Sequence, residues 1–309
     1  MKQLSISGRY FVFLFLIGLL VSCSSESASD KVTDTPVNGR IAISVDESFQ
    51  PVIDQQIRMY EASYPGTTIQ VQYKSEADCL QDLLKRDSVR LVIVSRLLHE
   101  NEQAFLKSKL GYSPASAVLA FDGIALVQHP SDQDTMFSLE RLQSELSGRA
   151  KATHTYLMDG YNATSTVSYI RDSVMRGLAF DSSAVRALKN TKEVLEYVAT
   201  HPGSLGFVGL GWIGDRNDTA QTAMLNRLKF GYLQCEQCPG RPFFQPLTEN
   251  FNGGCYQFTR KLCFILKENH TGLGTGFTSF LRYERGQLIF KNAFLGTTMN
   301  FQVRDVRLR

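Results

Sequence analysis

Apolar residues along this chain switch between a spacing of two and a spacing near 3.6, which marks out strands and helices in alternation. Arg40-Ile41-Ala42-Ile43-Ser44-Val45 alternates as a strand does. From Phe49 to Tyr64 apolar positions recur at Val52, Ile53, Ile57 and Tyr60, one face of a helix, and Tyr64-Pro65-Gly66 stops it. Residues 68–73 read as a second strand, 79–84 as a second helix and 89–94 as a third strand, apolar throughout after Arg90. A long apolar strand over 117–127 is interrupted by Asp122-Gly123. Ser138 then caps a helix that carries Glu140 in its first turn. A strand at 155–158, helices at 166–178 and 191–200, and a strand at 205–208 form a second set. The chain closes with a strand at 262–266 and helices at 276–283 and 284–294. This alternation predicts an α/β protein with a largely parallel sheet covered on both faces.

The N-terminus follows another pattern. Lys2 and Arg9 precede an apolar run over residues 10–20, too short to span a bilayer comfortably, which ends in Leu20-Val21-Ser22-Cys23. Residues 1–22 read as a secretory signal, and the Leu-x-Ser-Cys ending resembles the bacterial lipobox, in which the cysteine becomes the lipidated first residue. Cys23 is then the anchor, residues 23–39 a Ser- and Thr-rich flexible tether, and the folded body starts near Gly39. A plain signal ending by chance at a cysteine is the alternative. The expected location is the bacterial cell envelope, as a periplasmic or surface lipoprotein.

From Cys23 to Arg309 the chain is long enough for two domains. Its formal charge of +3 falls to about +1 when Lys2 and Arg9 leave with the signal, and no basic stripe stands out, so nucleic acid is not an expected partner. His99, His129, His154, His201 and His270 have no metal-ligand spacing, and no nucleophile elbow or acid pair is present. The chain reads as a non-enzyme with no cofactor and no metal assigned. Cys235-Glu236-Gln237-Cys238 has the spacing of a redox or zinc pair. However, Pro239-Gly240-Arg241-Pro242 follows it, and Cys255 and Cys263 are not a close second pair. Structural disulfides or plain thiols, zinc binding and redox chemistry are the three readings, and the pairing of Cys79, Cys235, Cys238, Cys255 and Cys263 stays open.

Residues 200–211, Thr-His-Pro-Gly-Ser-Leu-Gly-Phe-Val-Gly-Leu-Gly, are similar to the "TPGAIGYVGLGY" stretch of the phosphate-type substrate-binding proteins of bacterial ABC importers. Tyr64-Pro65-Gly66, Val94-Ser95-Arg96, residues 121–127 (Phe-Asp-Gly-Ile-Ala-Leu-Val), residues 258–262 (Phe-Thr-Arg-Lys-Leu) and residues 280–287 match in order and spacing. The glycines of 203–211 surround a strand rather than opening a helix, which sets aside a dinucleotide fingerprint. The resemblance covers nearly the whole mature chain. It implies a two-lobe periplasmic binding protein-like fold (type II) with two crossover strands, near 122–127 and 262–266, and a ligand cleft between lobes. Lobe I would comprise 40–125 and 260–309, and lobe II 126–259.

The resemblance also implies a site, and here the sequence departs from the family. Ser48, followed by Phe49, stands for the first ligand loop, with helix capping as its bland role. Ser75, in Lys74-Ser75-Glu76-Ala77-Asp78, stands for the second, where Glu76 and Asp78 must turn outward if an oxyanion binds. The family's proton-accepting acid falls at Arg90. Asp159, Asn162 and Thr164 stand in the third loop, which lacks the family's arginine, gains Tyr161, and leaves Arg90 or Arg96 as substitute cations. Ser48, Ser75, Asn162 and Thr164 are expected to converge in the cleft. Two functions follow. One is capture of phosphate or another small oxyanion for uptake or sensing, with an ABC permease or other envelope complex as partner. The other is a binding-protein-like envelope module that has lost phosphate and binds an organic ligand or another protein, favoured by Tyr161 and the loop 217–252.

Overall fold

Burial along the third strand shows how the sheet is built. In a computed structural model, which describes residues 34–160, 164–252 and 254–301, Val89–Val94 sends Leu91 and Ile93 into one apolar core and Val92 and Val94 into another. A strand apolar on both faces has to be covered on both. Strands β1 (Asn38–Asp46), β2 (Gly66–Lys74) and β3 (Val89–Val94) run parallel in the order β2-β1-β3. The helices Gln50–Ser63 and Leu273–Arg282 contribute to one core, and Glu76–Lys85 and Glu100–Leu110 to the other.

Strand β4 (Ala115–Gln128) gives the molecule its two-lobe plan. Its first half pairs antiparallel with β12 (Thr259–Leu266) and its second half with β8 (Ser204–Gly209). β5 is Met136–Phe137, β6 Thr155–Asp159 and β7 Val185–Leu188, and the main sheet reads β2-β1-β3-β12-β4-β8-β6-β7. β8, β6 and β7 are again parallel, and a separate core centred on Leu126, Tyr156, Val194 and Phe207 fills the second lobe. The α/β fold is thus parallel within each lobe, with antiparallel strands β12 and β4 crossing between. Short strands β9 (Lys229–Phe230), β10 (Tyr232–Gln234) and β11 (Phe243–Phe244) follow, with β10 between β5 and β11, and β13 (Gly296–Thr297) pairs with β4.

Several boundaries differ from the sequence reading. The ordered body extends ahead of Gly39: Asp34 is buried, accepts a hydrogen bond from Leu273 N (3.1 Å) and pairs with Arg90. The helix expected over 166–178 is α-helical only over Ser165–Tyr169, continues as a wider π turn over Ile170–Met175, and ends at Arg176 in a left-handed conformation (φ 49°). Helix Glu100–Leu110 was not expected from the pattern, because Leu106 is its one buried residue. The loop 217–252 holds the short helices Thr219–Leu225 and Thr248–Asn252 and three small strands. Residues 1–33, including Cys23, lie outside the described residues, as do Tyr161 and Asn162. Among the described residues no helix is long and apolar enough to cross a membrane.

Candidate functional site

The cleft is organised from the carboxyl end of β1, where Asp46-Glu47-Ser48 leaves the sheet and enters a short 3-10 turn. Asp46 is fully buried and caps that turn by accepting Ser48 N (2.8 Å) on Oδ1. Its Oδ2 accepts Ser165 N (2.9 Å), the first residue of helix Ser165–Tyr169. One carboxylate therefore gathers backbone N–H groups from two sides of the molecule. Next to it, Glu47 Oε1 accepts Thr191 N (3.1 Å), the first residue of helix Thr191–Thr200. Ser48 Oγ meets Thr166 Oγ1 (3.2 Å), and Ser48 O accepts Trp212 Nε1 (3.1 Å). Helix N-termini present unsatisfied N–H groups and the positive end of the helix dipole, which favour an anion. Here two of them hold carboxylates of a single loop.

Hydroxyl caps position the helices. Thr164 Oγ1 accepts Val167 N (3.3 Å) and donates to Asp159 Oδ1 (2.8 Å), while Thr191 Oγ1 donates to Asp159 Oδ2 (2.8 Å). Asp159, at the end of β6, thus ties the cap of one helix to the first residue of the other. Asn190 Oδ1 accepts Glu193 N (3.0 Å) as the second cap. Behind the cleft, Arg260 and Asp122 are cross-strand partners on β12 and β4 and form a buried ion pair, Nη2 and Nε lying 2.8 and 3.0 Å from Oδ2. Arg260 Nη1 donates to Ser165 Oγ (2.8 Å) and Thr166 Oγ1 (2.9 Å), and its guanidinium stacks over Phe49 (4.8 Å). Removing one partner of such a pair would cost about 3–5 kcal/mol, because the other charge is left buried. Gly209 belongs to the same knot: a Cβ there would sit 2.7 Å from Arg260 Nη2.

In front of this network lies a cavity of about 730 Å³, with Glu47 and Ser75 on one wall and Gly160, Thr164, Lys189 and Asn190 on the other. Its charge is mixed. Arg58, Lys74, Lys189 and Lys192 border it, but Lys74 is paired with Asp82 (2.5 Å), and Asp54, Asp78 and Asp218 also face in. Burial, with Asp159 and Asp46 nearby, pushes the Glu47 carboxyl up to about 7. Burial also pushes up Asp159, opposed by the hydroxyls of Thr164 and Thr191.

Of the residues singled out from sequence, Ser75 and Thr164 border the cavity, whereas Ser48 and Phe49 lie buried behind it. Asn162 is outside the described residues. Ser75 caps helix Glu76–Lys85, accepting Asp78 N (3.2 Å), and commits its proton to Asp78 Oδ2 (2.7 Å). Glu76 does not turn outward; it is buried and accepts Ser95 N and Oγ (both 2.7 Å). Arg90 is corrected as a site cation: it sits at the opposite end of β3, paired with Asp34 and with Glu268 (3.4 Å). Arg96 does not border the cavity either, because Glu102 holds it in a two-bond pair (2.7 and 2.8 Å) at the start of helix Glu100–Leu110. Asp46, Glu47, Lys189 and Arg260 were not singled out. The cap pattern Asn190-Thr191-Lys192-Glu193 was the available signal for the second helix terminus.

Comparison with known proteins adds a family and a fold. A family model described as a PBP superfamily domain matches residues 28–284. A search of curated proteins gives no match. Among solved structures, the chain is similar to a protein assigned as a phosphate ABC transporter substrate-binding protein, with bound phosphate, from Clostridium perfringens (16% identity, TM-score 0.68, covering 84% of this chain and 100% of that one). It is also similar to an ABC-type phosphate transport receptor from Vibrio cholerae (18%, 0.61, 84% and 100%) and to PstS from Borrelia burgdorferi (18%, 0.53, 84% and 99%). At these identities the likeness establishes the fold.

Proposed function

This chain belongs to the PBP superfamily domain family, and on that premise we propose that it is an exported solute-binding lipoprotein that captures phosphate or another small oxyanion between its lobes. The lobes divide as 40–125 with 260–309, and 126–259. Cys23 anchors the protein at the envelope, and the bound anion is passed to an ABC permease or sensed. The observation that carries this reading is the cavity of about 730 Å³, bordered by Glu47 and Ser75 on one side and by Thr164, Lys189 and Asn190 on the other. Ser75 and Thr164 stand at the cavity wall with their protons on Asp78 and Asp159, Asn162 stands two positions before Thr164 in sequence, and Lys189 and Lys192 attract the anion. Glu47 borders the cavity as an acceptor. It favours a tetrahedral anion that carries a proton to donate, and opposes one that carries none.

A second reading has its own support. Because Asp46 and Glu47 already occupy the helix termini, the cleft can close with no ligand, which suits an envelope module that has lost phosphate binding. Calorimetry on the purified protein separates the two. Uptake or sensing predicts micromolar or tighter phosphate binding, weaker sulfate binding, and loss of both in Thr164→Val. Absence of heat at millimolar phosphate would overturn oxyanion capture and leave the second reading.

A further inference from the structure

We propose that Cys235, Cys238 and Cys255 form a site for one thiophilic metal ion, which the Cys235–Cys238 disulfide closes and reduction opens. The three sulfurs lie within 4.8 Å of one another, although Cys255 is far along the chain from the other two. Two turns bring them together. Cys235 N donates to Pro242 O (2.8 Å) and Arg241 N to Cys238 O (3.0 Å), so the chain reverses between β10 and β11. Gly240 (φ 74°) and Arg241 (φ 48°) supply the left-handed backbone that this reversal needs. Gln237 Nε2 donates to Gly254 O (2.6 Å), holding the residue before Cys255 against the hairpin, and Cys255 N donates to Asn250 O (3.1 Å).

The chemistry fits a soft, tetrahedral ion. Thiolates about 2.3 Å from a zinc-like ion lie roughly 3.8 Å apart, so movements of about 1 Å complete the site. Cys235 is buried while Cys238 and Cys255 are half-buried, which leaves a path from solvent for the ion and a fourth ligand. Cys79 and Cys263 do not compete, since both are buried elsewhere, and burial pushes the Cys263 thiol up to about 11. The cycle balances with a dithiol as reductant. The Cys235–Cys238 bond takes two electrons and two protons from the dithiol, which becomes its own disulfide. The metal ion then displaces the protons of the three thiols to solvent and binds the thiolates.

The test uses the full chain in detergent, reduced with dithiothreitol, desalted without oxygen and titrated with cadmium. One equivalent should give a thiolate-to-cadmium charge-transfer band in the reduced protein and none in the oxidised one. Cys255→Ser should weaken binding by about tenfold or more, and Cys255→His should restore it, since imidazole also binds such ions. Cys79→Ala/Cys263→Ala should leave the titration unchanged. Either no band in the reduced wild-type protein, or Cys255→Ser binding as tightly as wild type, would overturn the proposal. Circular dichroism of each oxidised variant, in which the disulfide still forms, separates folding from binding.

Discussion

At the scale of single residues, the cleft is notable for carboxylates where a ligand anion is expected. Asp46 and Asp159 are buried and Glu47 partly so, close enough for Asp46 and Asp159 to raise the affinity of Glu47 for a proton. Its carboxyl is held at about 7 against an ordinary value of 4.5. A raised acid favours the folded state below the ordinary value, and that contribution is lost as pH rises through the raised one. The stability contribution of Glu47 therefore falls as pH rises from about 4.5 to 7 and stays low above it. Glu47→Gln keeps an acceptor for Thr191 N and has nothing to ionise. Denaturant unfolding at pH 5 and pH 8 should show the variant gaining on wild type by ~1–2 kcal/mol at the higher pH, after discounting for solvent screening. Parallel pH profiles for the two proteins would refute this assignment.

Among elements, the change of partner along β4 is a tight constraint. The strand changes partners from β12 to β8 at Gly123-Ile124, and helix Thr248–Asn252 packs against that point. A Cβ on Gly123 would fall 2.4 Å from Phe251 Cζ. Gly123→Ala should destabilise by about 1–3 kcal/mol, the usual range for overpacking, and the added change Phe251→Leu should recover part of it. Equal unfolding midpoints for Gly123→Ala and wild type would sink this account. The same strand shows how far the pattern was legible. Its apolar run and its interruption at Asp122-Gly123 were plain in sequence, because a strand buried on both faces is written in consecutive apolar residues. Helix Glu100–Leu110 was not plain, because a helix with one buried side chain has almost no apolar stripe to read.

For the whole molecule, the two sides of the cleft are joined by the chain's own contacts. Asp46 and Glu47 bind the N-termini of two helices across the cleft, and Gln55 Nε2 donates to Asp215 Oδ2 (2.5 Å). If these contacts close the lobes without a ligand, Asp46→Ala/Glu47→Ala should have a larger radius of gyration than wild type by small-angle X-ray scattering in phosphate-free buffer. Phosphate should then reduce it if the emptied helix termini accept the anion. Identical scattering of the two proteins without phosphate would show that the carboxylates do not set closure.

The alternation of strands and helices and the cap at Ser138 were legible in the sequence alone, because both depend on neighbours within a few positions, whereas the two crossover strands came from the family resemblance. Tertiary structure decided the cation and anion assignments. Arg90 and Arg96 were equal candidates in sequence, but each is claimed by an acid brought from elsewhere: Asp34 and Glu268 for one, and Glu102, through a turn, for the other. Arg260 stands 138 residues from Asp122, and Asp46 stands 119 from Ser165. Such partnerships leave no local pattern. Whether a buried charge is a ligand group or an internal counter-ion depends on which oppositely polarised group the fold delivers within 3 Å.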